Sequence, residues 1–432
     1  MRTRVAAALA LCVAAACSHD ADPAAARAPE VHAAPQLAVR TPRSTDPDAA
    51  GLRRSIERGR VDEAHAREAV LARLDPGEAR VLAARLSAIS GRIVDAIREI
   101  EAARKERPAD PDVYATAAEI YAAAGKLDAG WDEVKAGDAA CGSAPELLRA
   151  RGVLWISRSG GARKGLGFLE DARRADAELP FVDRPLSQAH LLVGKEDSAA
   201  HKPKDALVHA RFAASLDPED VDARRFLSEA LVLNGDFEPA VAEIQTLVDR
   251  GEPLVSELAL LHKKAGIAAL LEHDRERALR HFVSARKLGL TDAELATGAR
   301  LLGEEAAAKV GLGVEAYKAG DLAAAKARSK EALELEPDGI QAQNLLAVVL
   351  FKESDYAGAI ALWRVVLETA QKEDLALPEP VHLNLARAQE LSGDAAAART
   401  TLEAYLARDP SGPWVADTRA ALALLPPKKT GD

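Results

Sequence analysis

Residues 320–337 read GDLAAAKARSKEALELEP: a glycine, a run of small and charged residues, and a closing proline. Marking Gly320, Leu322, Ala325, Ser329, Ala332 and Pro337 gives a ruler that the chain reuses. Gly91, Ile93, Ala96, Ile100, Ala103 and Pro108 keep the same offsets, and so do Gly393, Ala395, Ala398, Leu402, Tyr405 and Pro410. Gly235, Phe237, Ala240, Ile244 and Leu247 follow, with Pro253 one place late. Gly59, Val61, Ala64, Leu71 and Pro76 make a shorter copy. The quoted stretch is therefore one copy of a repeated unit, and repeats decide the architecture before any single helix does.

The half upstream of each glycine recurs as well. Ala84, Ala118, Gly313 and Ala386 each stand seven residues before a turn glycine, at Gly91, Gly125, Gly320 and Gly393. In phase, the copies open at residues 77, 111, 146, 187, 221, 259, 306, 340 and 379, with a truncated one near 51. Each position has a physical reason. A glycine accepts φ > 0 where a first helix must end. Small residues let two backbones approach, and larger ones such as Ile100, Ile244, Phe282, Trp363 and Leu402 fill the gaps between neighbours. Proline stops the second helix. Gly130 and Gly137 stand where alanine is expected, which predicts a weak second helix in the copy at 111. His201 stands where glycine usually sits.

This pattern resembles the tetratricopeptide repeat, a pair of antiparallel helices of about 34 residues. The resemblance covers residues 51–412. It implies an all-α fold: a right-handed α-solenoid of antiparallel helix pairs with about nine full repeats, a partial first repeat and a capping helix near 413–425. Residues 179–186 (LPFVDRPL) break the phase and read as a bend between blocks at 51–178 and 187–425. Residues 293–305 break it again and read as an added helical turn. Residues 426–432 read as a tail.

The opening MRTRVAAALALCVAAAC has Arg2 and Arg4 before an apolar run, Val5 to Ala16, too short to span a bilayer. It reads as a signal peptide over residues 1–16. Ala14-Ala15-Ala16-Cys17 resembles the lipobox of bacterial lipoproteins, which implies a lipid on Cys17. The other reading is ordinary cleavage with Cys17 incidental. Ser18 after the cysteine resembles an outer-membrane sorting signal. Residues 17–50 are rich in Ala, Pro, Asp and Arg without apolar period and read as a disordered tether. The expected address is the bacterial cell envelope, at the outer membrane facing the periplasm.

Bulk composition narrows the function. Removing residues 1–16 takes two arginines and no acid, moving the formal charge from −10 to −12. Nucleic-acid binding needs a basic face and is not expected. Aromatics are 4% and the initiator is the one methionine, which excludes a Met-rich binding surface. Cys141 has no intrachain partner if Cys17 is acylated, and reads as a packing residue. GGARKGLG at 160–167 lacks the Lys-Ser/Thr pair of a phosphate loop and reads as a turn. The histidines at 262, 273 and 281 fit no metal-binding helix spacing. No cofactor, metal or catalytic constellation is expected, and the chain is not expected to be an enzyme.

Function then falls to the concave surface, which in this family is lined by the first helix of each pair. The early copies offer Glu78, Arg85, Asp112 and Glu119, a polar mixture. The later ones offer Leu270, then Val310, Val314, Tyr317 and Lys318, then Asn344, Val348, Phe351 and Lys352, then Arg387. Tyr317-Lys318 and Phe351-Lys352 recur at the repeat spacing, so they should share one face of adjacent copies. Apolar side chains beside cations suit a peptide carrying acidic groups. The other reading of the two rings is packing between repeats. The carboxylate clamp of chaperone-binding relatives is not matched, since Val310 and Val314 stand at its Lys and Asn positions. The expectation is a lipid-anchored periplasmic scaffold that binds partner proteins in its groove during envelope assembly: secretion, pilus or polysaccharide export. The alternative is a glycan- or cell-wall-binding protein that activates or performs an envelope reaction.

Overall fold

The computed structural model describes residues 43–426, apart from 374, 376, 378 and 379. The expected signal peptide, Cys17 and all of the expected tail beyond Pro426 lie outside the described residues. The chain divides into two compact units, Met1–Val182 and Asp183–Asp432.

In the first unit α1 (Pro47–Glu57), α2 (Val61–Ala66) and a 3-10 turn (Glu68–Arg73) precede three antiparallel pairs. These are α3 (Pro76–Ile89) with α4 (Ile93–Glu106), α5 (Pro111–Ala123) with α6 (Leu127–Cys141), and α7 (Pro145–Ile156) with α8 (Ala162–Ala175). Helix α1 starts inside the stretch expected to be tether. Asp46 caps it, accepting from the Asp48 amide, and Pro47 supplies a preset first turn. Asp75-Pro76 and Asp110-Pro111 start α3 and α5 in the same way. Pro76 thus opens the next helix in addition to ending the last.

The second unit has six pairs and a cap. Helices α9 (Asp183–Ala199) and α10 (Pro203–Leu216), α11 (Val221–Leu233) and α12 (Phe237–Asp249), and α13 (Val255–Leu271) and α14 (Arg275–Lys287) come first. A short α15 (Asp292–Leu295) leads into α16 (Thr297–Lys318), which pairs with α17 (Leu322–Leu335). Helices α18 (Ile340–Lys352) and α19 (Tyr356–Lys372), then α20 (Val381–Leu391) and α21 (Ala395–Arg408), complete the pairs before α22 (Val415–Leu424). The expected bend at 179–186 is half helix, since 183–186 form the first turn of α9. The phase break at 293–305 is α15 plus an extended α16, and Thr291 and Glu294 cap α15 reciprocally.

One position organises every pair. The residue fourteen after each phased start is left-handed at Gly91, Gly125, Gly160, Gly235, Gly320 and Gly393, and also at His201, His273 and Ser354. A first helix ends there and the second begins two residues later. The small contact residues Ala96, Ala240, Ala325, Ala359 and Ala398 are fully buried.

Helix α6 runs unbroken over Leu127–Cys141. A Cβ on Gly130 would stand 2.6 Å from Leu154 Cδ2, and one on Gly137 2.7 Å from Leu147 Cδ2. The two glycines admit leucines of α7, and that packing outweighs the ~1 kcal/mol propensity cost of each. Cys141 is buried in the same cluster, its thiol pushed up to about 11 by burial and then by Asp110, Glu146 and Asp138. Among the described residues no helix is long and apolar enough to cross a membrane.

Candidate functional site

The first-helix faces of the two units have different fates. In the first unit the polar mixture at Glu78, Arg85, Asp112 and Glu119 is consumed internally. Arg149 on α7 is fully buried. Its Nε donates to Glu119 Oε1 at 2.7 Å, its Nη2 to Asp112 Oδ1 at 2.8 Å and its Nη1 to the Pro180 carbonyl at 2.8 Å. Arg85 Nη1 donates to Glu119 Oε2 at 2.7 Å. Burial alone would raise the Asp112 carboxyl, but Arg149 and Arg85 outweigh it and hold it at about 2. Burial would likewise lower Arg149, and Glu119 and Asp112 raise it instead.

The chain itself covers this network. The Phe181 ring sits under the Arg85 guanidinium at 4.1 Å, with Phe181 at φ 61°. The Ser44 amide donates to Glu78 Oε2 at 2.9 Å, and Arg43 Nη1 donates to the Glu178 carbonyl at 3.1 Å. What is left between these segments is a cavity of about 60 Å³. Sequence periodicity gave no sign of this cover, because residues 43–46 and 176–181 fold back from outside any repeat.

In the second unit an open cleft of about 670 Å³ lies across α16, α18 and α20. Helix α16 contributes Val310, Val314, Tyr317 and Lys318. Helix α18 contributes Asn344, Val348, Phe351 and Lys352, together with Gln341 and Leu345. Asn384 enters from α20 and Trp363 from α19. Eight of the ten groove residues expected from the sequence line this one space. Trp363 forms its floor: the side chain is 1% exposed, and its Nε1 donates to Asn344 Oδ1 at 2.9 Å. The sequence reading assigned Trp363 to gap filling alone; its place nineteen residues after Asn344 was the available signal.

Among the described residues Phe351 makes ring contacts with Tyr356 at 5.6 Å and Trp363 at 5.8 Å, and none with Tyr317. Phe351 therefore packs inward on one side and faces the cleft on the other. The Tyr317 side chain is half-buried at the cleft wall. Lys318 pairs with Glu315 at 2.9 Å on the same exposed helix face. Lys352 has no ion-pair partner among the described residues.

Two expected residues are not in the cleft. Leu270 packs against the core of α13 and α14 beside Ala269 and Phe282. The exposed side of α13 carries Leu260, Ile267 and Leu271, and helical periodicity turns residue 270 away from it. Arg387 is exposed and pairs with Glu390 at 2.6 Å, one turn beyond Asn384. Among the described residues no group of three His, Cys, Asp or Glu side chains is arranged to hold a metal. His262 lies between helices, its Nδ1 3.0 Å from His281 Nδ1.

Residues 198–262, from the end of α9 into α13, match the tetratricopeptide repeat family model. Over that segment the chain carries tetratricopeptide repeats. The matched segment holds two of the left-handed turns that recur in all nine helix pairs among the described residues. No curated protein matches the sequence. Among solved structures the chain is similar to the C-terminal part of a TPR repeat-containing protein from Cytophaga hutchinsonii. The identity is 14%, with 62% of this chain and 99% of that one covered and a TM-score of 0.35. It is also similar to the TPR2AB-domain–pHSP90 complex of yeast Sti1, at 18% identity, 55% and 97% coverage and a TM-score of 0.26. A tetratricopeptide repeat protein from Parabacteroides merdae matches at 14% identity, 59% and 96% coverage and a TM-score of 0.29. At TM-scores this low they carry no argument about the site. Tetratricopeptide repeats generally serve as protein-binding scaffolds without enzymatic activity.

Proposed function

We propose that this chain is a lipid-anchored scaffold of the bacterial envelope that holds a segment of a partner protein in the cleft of α16, α18 and α20. Cys17 carries the lipid, the folded units face the periplasm from the outer membrane, and the held partner belongs to an envelope complex for secretion, pilus or polysaccharide export. The cleft carries the binding half of this reading. It is open, it mixes apolar walls with amide and ammonium groups, and it lies on a repeat face of the kind that binds proteins. The equivalent face of the first unit is already filled by its own chain. The amino-terminal sequence supports the anchoring half.

Affinity recovery from the native host tests the binding half. Wild type should retain a partner that the Val314→Glu/Tyr317→Ala variant loses, and equal recovery would sink the assignment. Cys17→Ser tests the anchor: it should abolish acyl labelling and release the protein from membranes, whereas unchanged membrane retention contradicts a lipoprotein.

A further inference from the structure

We infer that the segment taken by this cleft is an extended peptide of opposed charge, acidic at the Lys318–Lys352 end, basic at the other, with apolar residues between. The inference rests on the cleft reading above and adds the chemistry of its occupant. Next to the 670 Å³ cleft lies a second space of about 420 Å³, and the two share Val310 and Gln341 as walls. They are therefore one continuous channel along α18. Its far part is lined by Glu336, Asp338 and Glu373.

None of Glu336, Asp338, Glu373 and Lys352 has an ion-pair partner among the described residues. Glu353, the chain neighbour of Lys352, is engaged by Lys326 at 2.6 Å and so does not neutralise it. Lys318 has only an exposed same-helix pair, which competes weakly with a ligand carboxylate. Opposite charge at opposite ends of one channel selects a ligand of opposed charge and disfavours one with like charges at both ends.

The length and the lining set the ligand's conformation. From Gln341 to Lys352 along α18 is about 16 Å at 1.5 Å per residue. An extended chain covers that in about five residues. The side chains of Gln341 and Asn384 line the channel without a hydrogen bond to any described residue. Free amide side chains suit an extended peptide, whose backbone N–H and C=O groups need partners. A helical ligand has satisfied those groups within itself.

Fluorescence anisotropy with terminally blocked synthetic peptides tests this on the full chain. The probe places Asp and Arg five positions apart with Leu and Val between, and its relatives carry Asp at both ends, Arg at both ends, or neither. The Asp/Arg peptide should bind about tenfold tighter than either like-charged peptide, because at one end repulsion is replaced by attraction. Lys318→Glu/Lys352→Glu should reverse the preference toward the two-Arg peptide, a gain that a misfolded variant would not show. Equal affinity for all four peptides overturns the charge reading and leaves the cleft reading standing. Absence of binding to any peptide, while partner recovery still depends on Val314 and Tyr317, overturns the peptide chemistry alone. Absence of both defeats the two readings together.

Discussion

The imidazoles of His190 and His209 meet across α9 and α10 with their Nδ1 atoms 2.9 Å apart. His262 and His281 repeat the arrangement across α13 and α14, at 3.0 Å and the same sequence spacing. In each pair one nitrogen donates and the other accepts, so the contact requires a neutral ring. Burial and then the facing imidazole lower His190 and His262 to about 4. His382 is lowered to about 4 by burial and then by Arg408, while stacked on Tyr405.

These groups predict an acid-sensitive second unit. Asp197 stands 3.8 Å from His209, and Glu238 2.7 Å from His281; Glu238 also acts to raise His262, without offsetting burial and the facing imidazole. The ordinary value is 6.5 and the folded value about 4, so the unfolded chain binds more protons in between. Stability is complete above 6.5 and is lost as pH falls toward 4. The melting temperature followed from pH 7 to 4 should drop, and His190→Gln/His262→Gln should flatten that window. An unchanged slope in the variant would contradict the account.

Asp112 predicts a separate loss at lower pH. Its folded value of about 2 lies below the ordinary 3.8, so its contribution is present above 3.8 and disappears as pH falls toward 2. Arg149→Met leaves Asp112 and Glu119 with Arg85 as their remaining ion-pair partner, which should cost about 3–5 kcal/mol in chemical denaturation. A cost near zero would mean that solvent reaches Asp112 and Glu119.

The left-handed turn position predicts stabilising changes. A side chain there costs roughly 1–2 kcal/mol, offset by the greater freedom of unfolded glycine. Replacing His201, His273 or Ser354 by Gly should each add about 0.5–1 kcal/mol. Gly320→Ala should destabilise by a similar amount. Equilibrium denaturation of the single variants reads both signs.

The small contact residues predict the reverse. Ala325 and Ala398 are fully buried. Enlarging either to Leu should cost about 1–3 kcal/mol by overpacking. Gly137→Ala should behave like them, because its new methyl would stand 2.7 Å from Leu147 Cδ2 and 2.9 Å from Tyr114 Cβ.

Much of this architecture was legible because its determinants are local and recur. Gly320 and its equivalents carry the turn within one residue, and Ala325 and its equivalents carry the contact. Tyr317 and Phe351 could be placed together because a fixed repeat length converts sequence spacing into a shared face. Other features depend on partners outside the repeat. The Asp46-Pro47 cap was visible, yet the low apolar content around it hid α1. Gly130 and Gly137 look like helix breakers until Leu154 and Leu147 are set against them. Leu270 was misplaced by the register of a helix that begins at Val255. The fold-back of Phe181 over Arg85 has no periodic signature at all.

The central claim is that a partner occupies the cleft of the second unit. Site-specific photocrosslinking in the native host tests it most directly, with the reactive residue at Val314 and a control at Val94, which is 80% exposed in the first unit. The account predicts a discrete crosslinked partner from Val314 that is absent from Val94. The same products from both positions, or none from Val314, would contradict it.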